Sequence, residues 1–290
     1  HHGYITADSL PGAYTVFRVE LFKGKSHFGE NVTFDETLPT NYLADEVIDD
    51  NKVNELLAKK YNETIVIAED DSEILAYLKD ELSTNFRVIA VNNGYDAVKA
   101  VMDDEVSLIL SDVLMPALNG FQLCSNIKSN IATCHIPIVL LTALSDDNQR
   151  IYGIAEGADE YIHKPFNMQY VRLKIIRIIE ERKRLASTFA QKFGRLTRHE
   201  AANLPCVDDV FRDKLFNLIE AQHSDSNFKI ELMSDMLGMS RILLYRKITS
   251  IFGMSPSDLL RNYRLQKAVQ LLTDQRRNVS EVAYIVGFSS

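Results

Sequence analysis

Four short apolar runs, each followed at once by polar or charged residues, limit the folds open to this chain more than any other feature. They are residues 64–68, 107–111, 137–141 and 159–163. The runs are rich in β-branched residues and have the length of strands, so they predict buried parallel strands with amphipathic helices between them. Right-handed crossovers bring the carboxyl ends of such strands to one edge of the sheet. The sequence therefore predicts a doubly wound α/β domain with its functional site at that edge.

Length and composition agree with a globular protein of about two domains. The chain has 290 residues, of which 46% are hydrophobic and 25% charged, and its net charge is −8. Residues 208–290 hold 11 Lys and Arg against 10 Asp and Glu, so residues 1–207 carry −9. We do not expect so acidic a segment to bind nucleic acid, whereas the C-terminal part is suited to it.

Cysteine usage and hydropathy argue against a secreted or a membrane-spanning chain. Cys124, Cys134 and Cys206 show neither a CxxC pair nor the spacing of metal ligands, which predicts reduced thiols in the cytoplasm. No apolar run approaches the ~20 residues that cross a bilayer, and residues 1–20 lack the regions of a signal peptide. We therefore expect a cytoplasmic segment that makes no membrane contact of its own.

Periodicity divides the chain into five segments. Residues 1–22 alternate like a two-stranded β-hairpin, and residues 23–63 are polar and acidic, which predicts a linker with at most one short helix. The α/β domain spans residues 64–184 and ends in an amphipathic helix. Residues 185–207 predict a second linker. Residues 208–290 show only helical periodicity, which predicts an all-α domain.

Three carboxylates lie directly after predicted strands. Glu69 and Asp70 follow the first strand, and Asp112 follows the second. At ~5 Å and an effective dielectric near 20, each pair repels by roughly 3 kcal/mol, which a divalent cation relieves. Mg²⁺ prefers carboxylate and phosphate oxygens, so the group predicts a metal-bound phosphoryl site. Asp112 is then the nucleophile. The Thr142 hydroxyl donates a hydrogen bond to a phosphoryl oxygen, and the Lys164 ammonium pairs with the negatively charged phosphoryl group.

The motifs around these residues resemble the receiver domain of bacterial two-component response regulators, over residues 64–183. They are Glu69-Asp70, Asp112-Val-Leu-Met-Pro116 with Gly120 behind it, Thr142-Ala143, and Tyr161 three residues before Lys164-Pro165. The resemblance implies a flavodoxin-like, five-stranded parallel sheet. It also implies that Asp112 accepts a phosphoryl group from the histidine of a kinase.

The same resemblance implies a metal set and a switch. Asp70, Asp112 and the backbone carbonyl of Leu114 would hold Mg²⁺, and Thr142 and Tyr161 would move together on phosphorylation. Glu69 stands where the family often has Asp, which leaves a direct or an indirect part in metal binding open. A phosphatase of the haloacid-dehalogenase type also uses an aspartate nucleophile, but it needs a second carboxylate where this chain has Leu114.

A helix-turn-helix spacing lies in the C-terminal domain, where Ser234, Gly238 and Leu244 stand at the small, turn and packing positions. Ser240 would cap the second helix, whose residues Leu244, Ile248 and Ile251 face the core at ~100° per residue. The opposite face predicts contacts with the major groove. Its residues are Arg241, Ile242, Tyr245, Arg246, Lys247 and Thr249. Residues 239–277 hold 8 Lys and Arg against 2 Asp and Glu, which suits phosphate contacts.

The segments Gly238-Met-Ser-Arg-Ile-Leu-Leu-Tyr-Arg-Lys247, Gly253-Met-Ser-Pro256 and Val279-Ser-Glu-Val-Ala-Tyr-Ile-Val-Gly-Phe288 resemble the AraC-type DNA-binding domain. The resemblance covers residues 208–290. In that family Ala283 and Gly287 would begin a second helix-turn-helix whose recognition helix lies past Ser290. The sequence therefore predicts an incomplete domain that binds DNA weakly.

The hairpin at residues 1–22 looks like the last two strands of a histidine-kinase ATP-binding domain, although His1 and His2 could equally be tag remnants. Kinase end, receiver and AraC-type domain in this order resemble a hybrid two-component sensor, whose parent chain could be anchored in the inner membrane. The resemblance implies a histidine-kinase domain as phosphodonor and a homodimer on phosphorylation. The alternative is a receiver-based interaction module whose helical domain does not bind DNA productively.

Overall fold

The computed structural model describes residues 4–10, 14–20, 50–143, 157–193, 208–273 and 278–288. The chain forms two compact units, His1–Asp49 and Asp50–Ser290. In the first, β1 (Tyr4–Leu10) and β2 (Tyr14–Glu20) pair as an antiparallel hairpin. This confirms the hairpin predicted for residues 1–22. Most of the linker predicted for residues 23–63 lies outside the described residues.

Five parallel strands form the sheet of the second unit, in the spatial order β4-β3-β5-β6-β7. They are β3 (Thr64–Ala68), β4 (Arg87–Val91), β5 (Leu108–Asp112), β6 (Ile138–Thr142) and β7 (Glu160–His163). Four of them match the predicted apolar runs to within one residue. The strand order is that of a flavodoxin-like, doubly wound sheet, with its switch point between β3 and β5. The predicted fold of this domain is therefore confirmed.

Alternate residues of the central strands enter two separate cores, because successive side chains in a strand point to opposite faces. The helices around the sheet are α1 (Asp50–Ala58), α2 (Ser72–Ser83), α3 (Gly94–Asp103), α4 (Gly120–Ser129) and α5 (Met168–Phe193). Ile65, Leu108 and Val139 pack on the face covered by α2 and α5. Ile109 and Ile138 pack on the face covered by α3 and α4.

In the first predicted linker the structure describes residues 50–63, which hold the one short helix that the sequence allowed, and in the second it describes residues 185–193, which continue a helix. Residues 50–58 form α1, and Tyr61 behind it is buried and donates a hydrogen bond to Glu180 of α5 at 3.0 Å. In α5 the helix does not stop at residue 184 but continues to Phe193. The reason is apolar burial: Phe189 is 2% exposed and joins the core of the C-terminal domain. A single helix of 26 residues thus belongs to both domains.

The C-terminal domain is helical, as predicted. Its helices are α6 (Asp209–Gln222), α7 (Ile230–Met236), α8 (Arg241–Phe252), α9 (Pro256–Thr273) and α10 (Val279–Ile285). Gly238 has φ 68° in the turn between α7 and α8, a conformation that favours glycine. Ser240 caps α8 by accepting a hydrogen bond from the Leu243 amide. Among the described residues, no helix is long and apolar enough to cross a bilayer.

Candidate functional site

The predicted site residues meet at the carboxyl edge of the sheet. Asp112 ends β5, Glu69 and Asp70 follow β3, and one carboxylate oxygen of each lies within 4.8 Å of the others. Thr142 ends the neighbouring strand β6 and Lys164 follows β7. We call these five residues the sheet-edge site. Their convergence follows from strand topology, since residues from four strand ends reach one edge.

Lys164 neutralises part of the acidic cluster. Its Nζ lies 2.9 Å from Glu69 Oε2 and 3.2 Å from Asp112 Oδ1. Burial raises the pKa of the Glu69 carboxyl, and the nearby Asp112 carboxylate adds to this, although the hydrogen bond from Lys164 opposes it. Burial alone would lower the pKa of Lys164, but the hydrogen bond and charge of Glu69 and the charge of Asp112 raise it. The ammonium therefore stays charged between two carboxylates.

The two carboxylate oxygens of Asp112 have different surroundings. The Val113 amide donates a hydrogen bond to Asp112 Oδ1 at 2.8 Å, on the same oxygen that Lys164 approaches. Asp112 Oδ2 takes no part in the hydrogen bonds and ion pairs of the described residues. Gly120 begins α4 directly behind the backbone carbonyl of Asp112, where a Cβ atom would collide with that oxygen. A glycine at this position thus lets α4 close over the end of β5.

The remaining predicted residues lie around this cluster. Thr142 is buried at the end of β6, and Tyr161 is half-buried on β7, the adjacent strand. Leu114 follows β5 in the loop and is 59% exposed, so its side chain is directed to solvent. The Lys164–Pro165 peptide bond is cis.

The donor set at this edge suits a hard divalent cation. Glu69, Asp70 and Asp112 offer oxygen ligands only, the type that Mg²⁺ prefers, and two of the three carboxylates are buried. At 4.8 Å each pair of carboxylates repels by about 3 kcal/mol at an effective dielectric of 20, and Lys164 provides one compensating positive charge for three negative ones. The cluster therefore fits the predicted metal. The individual ligands stay predictions.

The second candidate surface is the predicted recognition helix α8, and the structure divides its six predicted DNA contacts into two groups. Arg241, Ile242 and Tyr245 are exposed. Lys247 is fully buried, and Arg246 and Thr249 are partly buried. The expectation that Arg246, Lys247 and Thr249 face solvent is therefore not met in this structure. The physical reason is that this side of α8 packs against the α/β domain and α5.

Gly253, at the end of α8, shows how close this packing is. It has φ 66°, and a Cβ atom there would lie 2.8 Å from the Ala186 carbonyl oxygen of α5. The core side of α8 agrees with the sequence, because Leu244, Ile248 and Ile251 are all buried.

Two protein-family models match the chain. The response regulator receiver domain matches residues 65–176 and a helix-turn-helix domain matches residues 233–290. This chain joins a response regulator receiver domain to an AraC-type helix-turn-helix domain. We refer to the α/β domain as the receiver from here on.

The chain is similar to histidine kinases and response regulators. Histidine kinase P4 of Formosa agariphila is 34% identical over all of this chain, which spans 22% of that protein's length. Response regulator GtcR of Aneurinibacillus migulanus is 29% identical over 64% of this chain and 74% of its own length. A receiver domain of a signal transduction histidine kinase from Syntrophus aciditrophicus is 34% identical, with a TM-score of 0.40 over 42% of this chain and 93% of that one.

Several residues of the contact between receiver and α8 had no signal in the sequence. Lys247 donates hydrogen bonds to the Ile131 carbonyl and to Cys134 Sγ, and the backbone carbonyls at the end of α3 accept hydrogen bonds from Arg246. No motif marks either group. Local periodicity reports which side of a helix is apolar, but it does not report which neighbouring domain covers a charged side.

Proposed function

We propose that Asp112 is the phosphoacceptor of a phosphorelay and that its phosphorylation controls the attached DNA-binding domain. The observation that carries this proposal is the sheet-edge site, in which Glu69, Asp70, Asp112 and Lys164 converge within one receiver domain. Three carboxylates and one lysine at the carboxyl edge of a parallel sheet suit the binding of a phosphoryl group with a divalent cation.

The geometry of Asp112 supports its part as nucleophile. Since Val113 and Lys164 contact Oδ1, Oδ2 would attack phosphorus, the P–N bond to the kinase histidine would break, and the leaving imidazole would take up a proton. Lys164 would donate a hydrogen bond to one phosphoryl oxygen, and the Thr142 hydroxyl, at the neighbouring strand end, would donate to another. Mg²⁺, held by Asp70, Asp112, the Leu114 carbonyl and directly or through water by Glu69, would neutralise charge on the phosphoryl group.

Residues 1–22 support a hybrid histidine kinase as the whole protein. The alignment with Histidine kinase P4 runs through this hairpin as well as the receiver and the helical domain. A kinase domain of the same polypeptide or its partner would then be the phosphodonor. A homodimer fits this scheme, because a phosphoryl group adds about −1.5 to −2 charge beside Lys164 and Thr142, enough to bias a two-state surface.

Intact mass spectrometry tests the phosphoacceptor. Incubation with a small acyl phosphate and Mg²⁺ should add about 80 Da to the chain, the mass of one phosphoryl group. The substitution Asp112→Asn should abolish the gain, whereas Asp80→Asn, the same change at an exposed position of α2, should leave it intact. Labelling that persists in Asp112→Asn, or that proceeds equally in excess chelator, would contradict the proposal.

A further inference from the structure

Arg246, which lies in the middle of the predicted DNA-reading face, is hydrogen-bonded to the receiver. The Arg246 guanidinium donates hydrogen bonds to the backbone carbonyls of Met102, Asp103 and Asp104, at 3.2, 2.7 and 2.9 Å. These carbonyls end α3, where an α-helix leaves its last oxygens without partners and carries partial negative charge. Arg246 thus completes the end of a receiver helix with three of its five N–H donors.

The next residue of α8 is held even more firmly. Lys247 is 0% exposed, and its Nζ lies 2.6 Å from Asp208 Oδ2 and 3.2 Å from Cys134 Sγ, while it also donates to the Ile131 carbonyl. Ile131 and Cys134 belong to the receiver, and Asp208 caps α6. A lysine in this position has no free N–H to offer a DNA phosphate.

The receiver also places acidic side chains beside the exposed part of α8. Residues 103–105 read Asp-Asp-Glu, and Glu105 lines a groove of about 700 Å³ together with Arg241, Ile242 and Tyr245. A duplex that approached α8 in this arrangement would bring its phosphates toward three carboxylates. Since phosphate contacts supply most of the affinity of such domains for DNA, this repulsion opposes binding.

The contact between the receiver and α8 leaves several polar side-chain atoms without a protein partner. His135 Nδ1 and Thr249 Oγ1 are buried and have no hydrogen-bond partner among the described residues, and Glu63 Oε2 shares this condition. All three residues line one cavity of about 320 Å³ between the receiver, α5 and α8. A cavity of this size has room for water beside these atoms, so the contact between the two domains is only partly closed by protein atoms.

We propose that the end of α3 and residues 131–135 form a docking surface for α8, and that receiver and DNA compete for this helix. The inference rests on the proposed DNA-binding function. In the alternative interpretation the helical domain does not bind DNA productively. In this proposal the domain can bind DNA, but the receiver reversibly occupies its basic residues. Docking removes Arg246 and Lys247 from DNA and adds the receiver's carboxylates nearby. Undocking frees Arg246 and removes the contacts of Lys247 with Ile131 and Cys134, whereas Asp208 belongs to the helical domain and stays beside Lys247.

Ala132→Glu separates this proposal from its alternatives without touching α8 or the sheet-edge site. Ala132 is a receiver residue, 6% exposed, that packs in the core of the helical domain, so a carboxylate there disfavours docking. The new charge is negative and cannot itself attract DNA. Ala76→Glu is the matched control, because Ala76 is exposed on α2.

The probe is a fluorescent mixed-sequence duplex of about 30 base pairs at fixed salt, titrated with the whole chain. We expect Ala132→Glu to bind about tenfold more tightly than wild type and Ala76→Glu to match wild type. Equal or weaker binding by a folded Ala132→Glu chain overturns the docking surface but leaves DNA binding in place. An absence of binding by all three chains overturns the proposed function and this inference with it.

Hydrogen exchange on the unmodified chain keeps the test independent of how well the variant folds. Saturating duplex DNA should speed amide exchange in residues 130–136 by about tenfold, because α8 leaves them. Exchange that is unchanged or slower with DNA bound would show that α8 reaches DNA while docked, and the proposal would be wrong.

Discussion

The sheet-edge site and the predicted reading face of α8 are the two candidate functional surfaces, and they are formed in different ways. At the sheet edge every residue belongs to one parallel sheet, and four strand ends bring the side chains together. On α8 half of the predicted contacts are turned into an interface with the receiver and α5, with Lys247 fully buried. The first surface is complete within one domain, and the second depends on where a neighbouring domain lies.

The difference indicates that a sequence specifies a site formed within one domain more directly than a surface that a neighbouring domain can cover. Strand topology fixes the sheet-edge site, because a crossover rule places each strand end before any side chain is considered. The availability of α8 is instead an equilibrium between two sets of partners. Receiver carbonyls and Asp208 occupy the same basic residues that DNA phosphates would bind.

We expect the largest change in the free energy of unfolding from a substitution of Lys247. Lys247→Met leaves the carboxylate of Asp208 without its cationic partner in a buried place, which should lower the free energy of unfolding by about 3–5 kcal/mol. Lys214→Met on the exposed side of α6 is the matched control and should change it by less than about 0.5 kcal/mol. Urea denaturation monitored by circular dichroism measures both. A small loss for Lys247→Met would mean that this lysine is solvated and free to contact DNA.

His135 offers a smaller effect on the same interface, because burial, and the positive charges of Lys247 and Arg182, lower its pKa well below the usual 6.5. Below pH 6.5, His135 therefore binds a proton in the unfolded chain but stays neutral in the folded chain until the pH is much lower. Stability from this group is complete above pH 6.5 and is lost as the pH falls below it, by up to about 1.4 kcal/mol per pH unit.

Comparison with His135→Gln isolates the histidine, since all other titrating groups are common to both chains. Between pH 7 and pH 5 the wild-type free energy of unfolding should fall more steeply than that of the variant. Parallel curves of the unfolding free energy against pH would show that His135 is protonated in the folded chain and that water reaches this interface.

Much of the fold and of the sheet-edge site could be predicted from the sequence, because continuous burial leaves a clear pattern. Three of the four detected strands are buried throughout, and the edge strand β7 buries Ile162. The other edge strand, β4, begins with exposed Arg87 and was not among the apolar runs. The second half of α5 was predicted as a linker because its polar residues interrupt the stripe. Phe189 and Phe193 become core residues only when α8 and α6 pack on them.

The recognition face marks the limit of prediction from sequence. The side of α8 that contains Leu244 and Ile248 was predicted correctly, because helical periodicity reports it directly. The partners of Arg246 could not be predicted, since they are backbone carbonyls 142 to 144 positions away in sequence. A carbonyl has no sequence signature, and a positive residue suits a helix end and a phosphate equally well.

The central claim is that a phosphoryl group at one surface controls the other, and the affinity for DNA in two phosphorylation states tests it most directly. The unmodified chain with Mg²⁺ is titrated into the mixed-sequence duplex with and without a small acyl phosphate, and Asp112→Asn is carried through both conditions. Coupling between two sites of one protein is typically 1–3 kcal/mol, so we predict that phosphorylation changes the Kd by at least about fivefold and that Asp112→Asn shows no change. The same Kd in both states for a chain shown by mass to be phosphorylated would contradict the account.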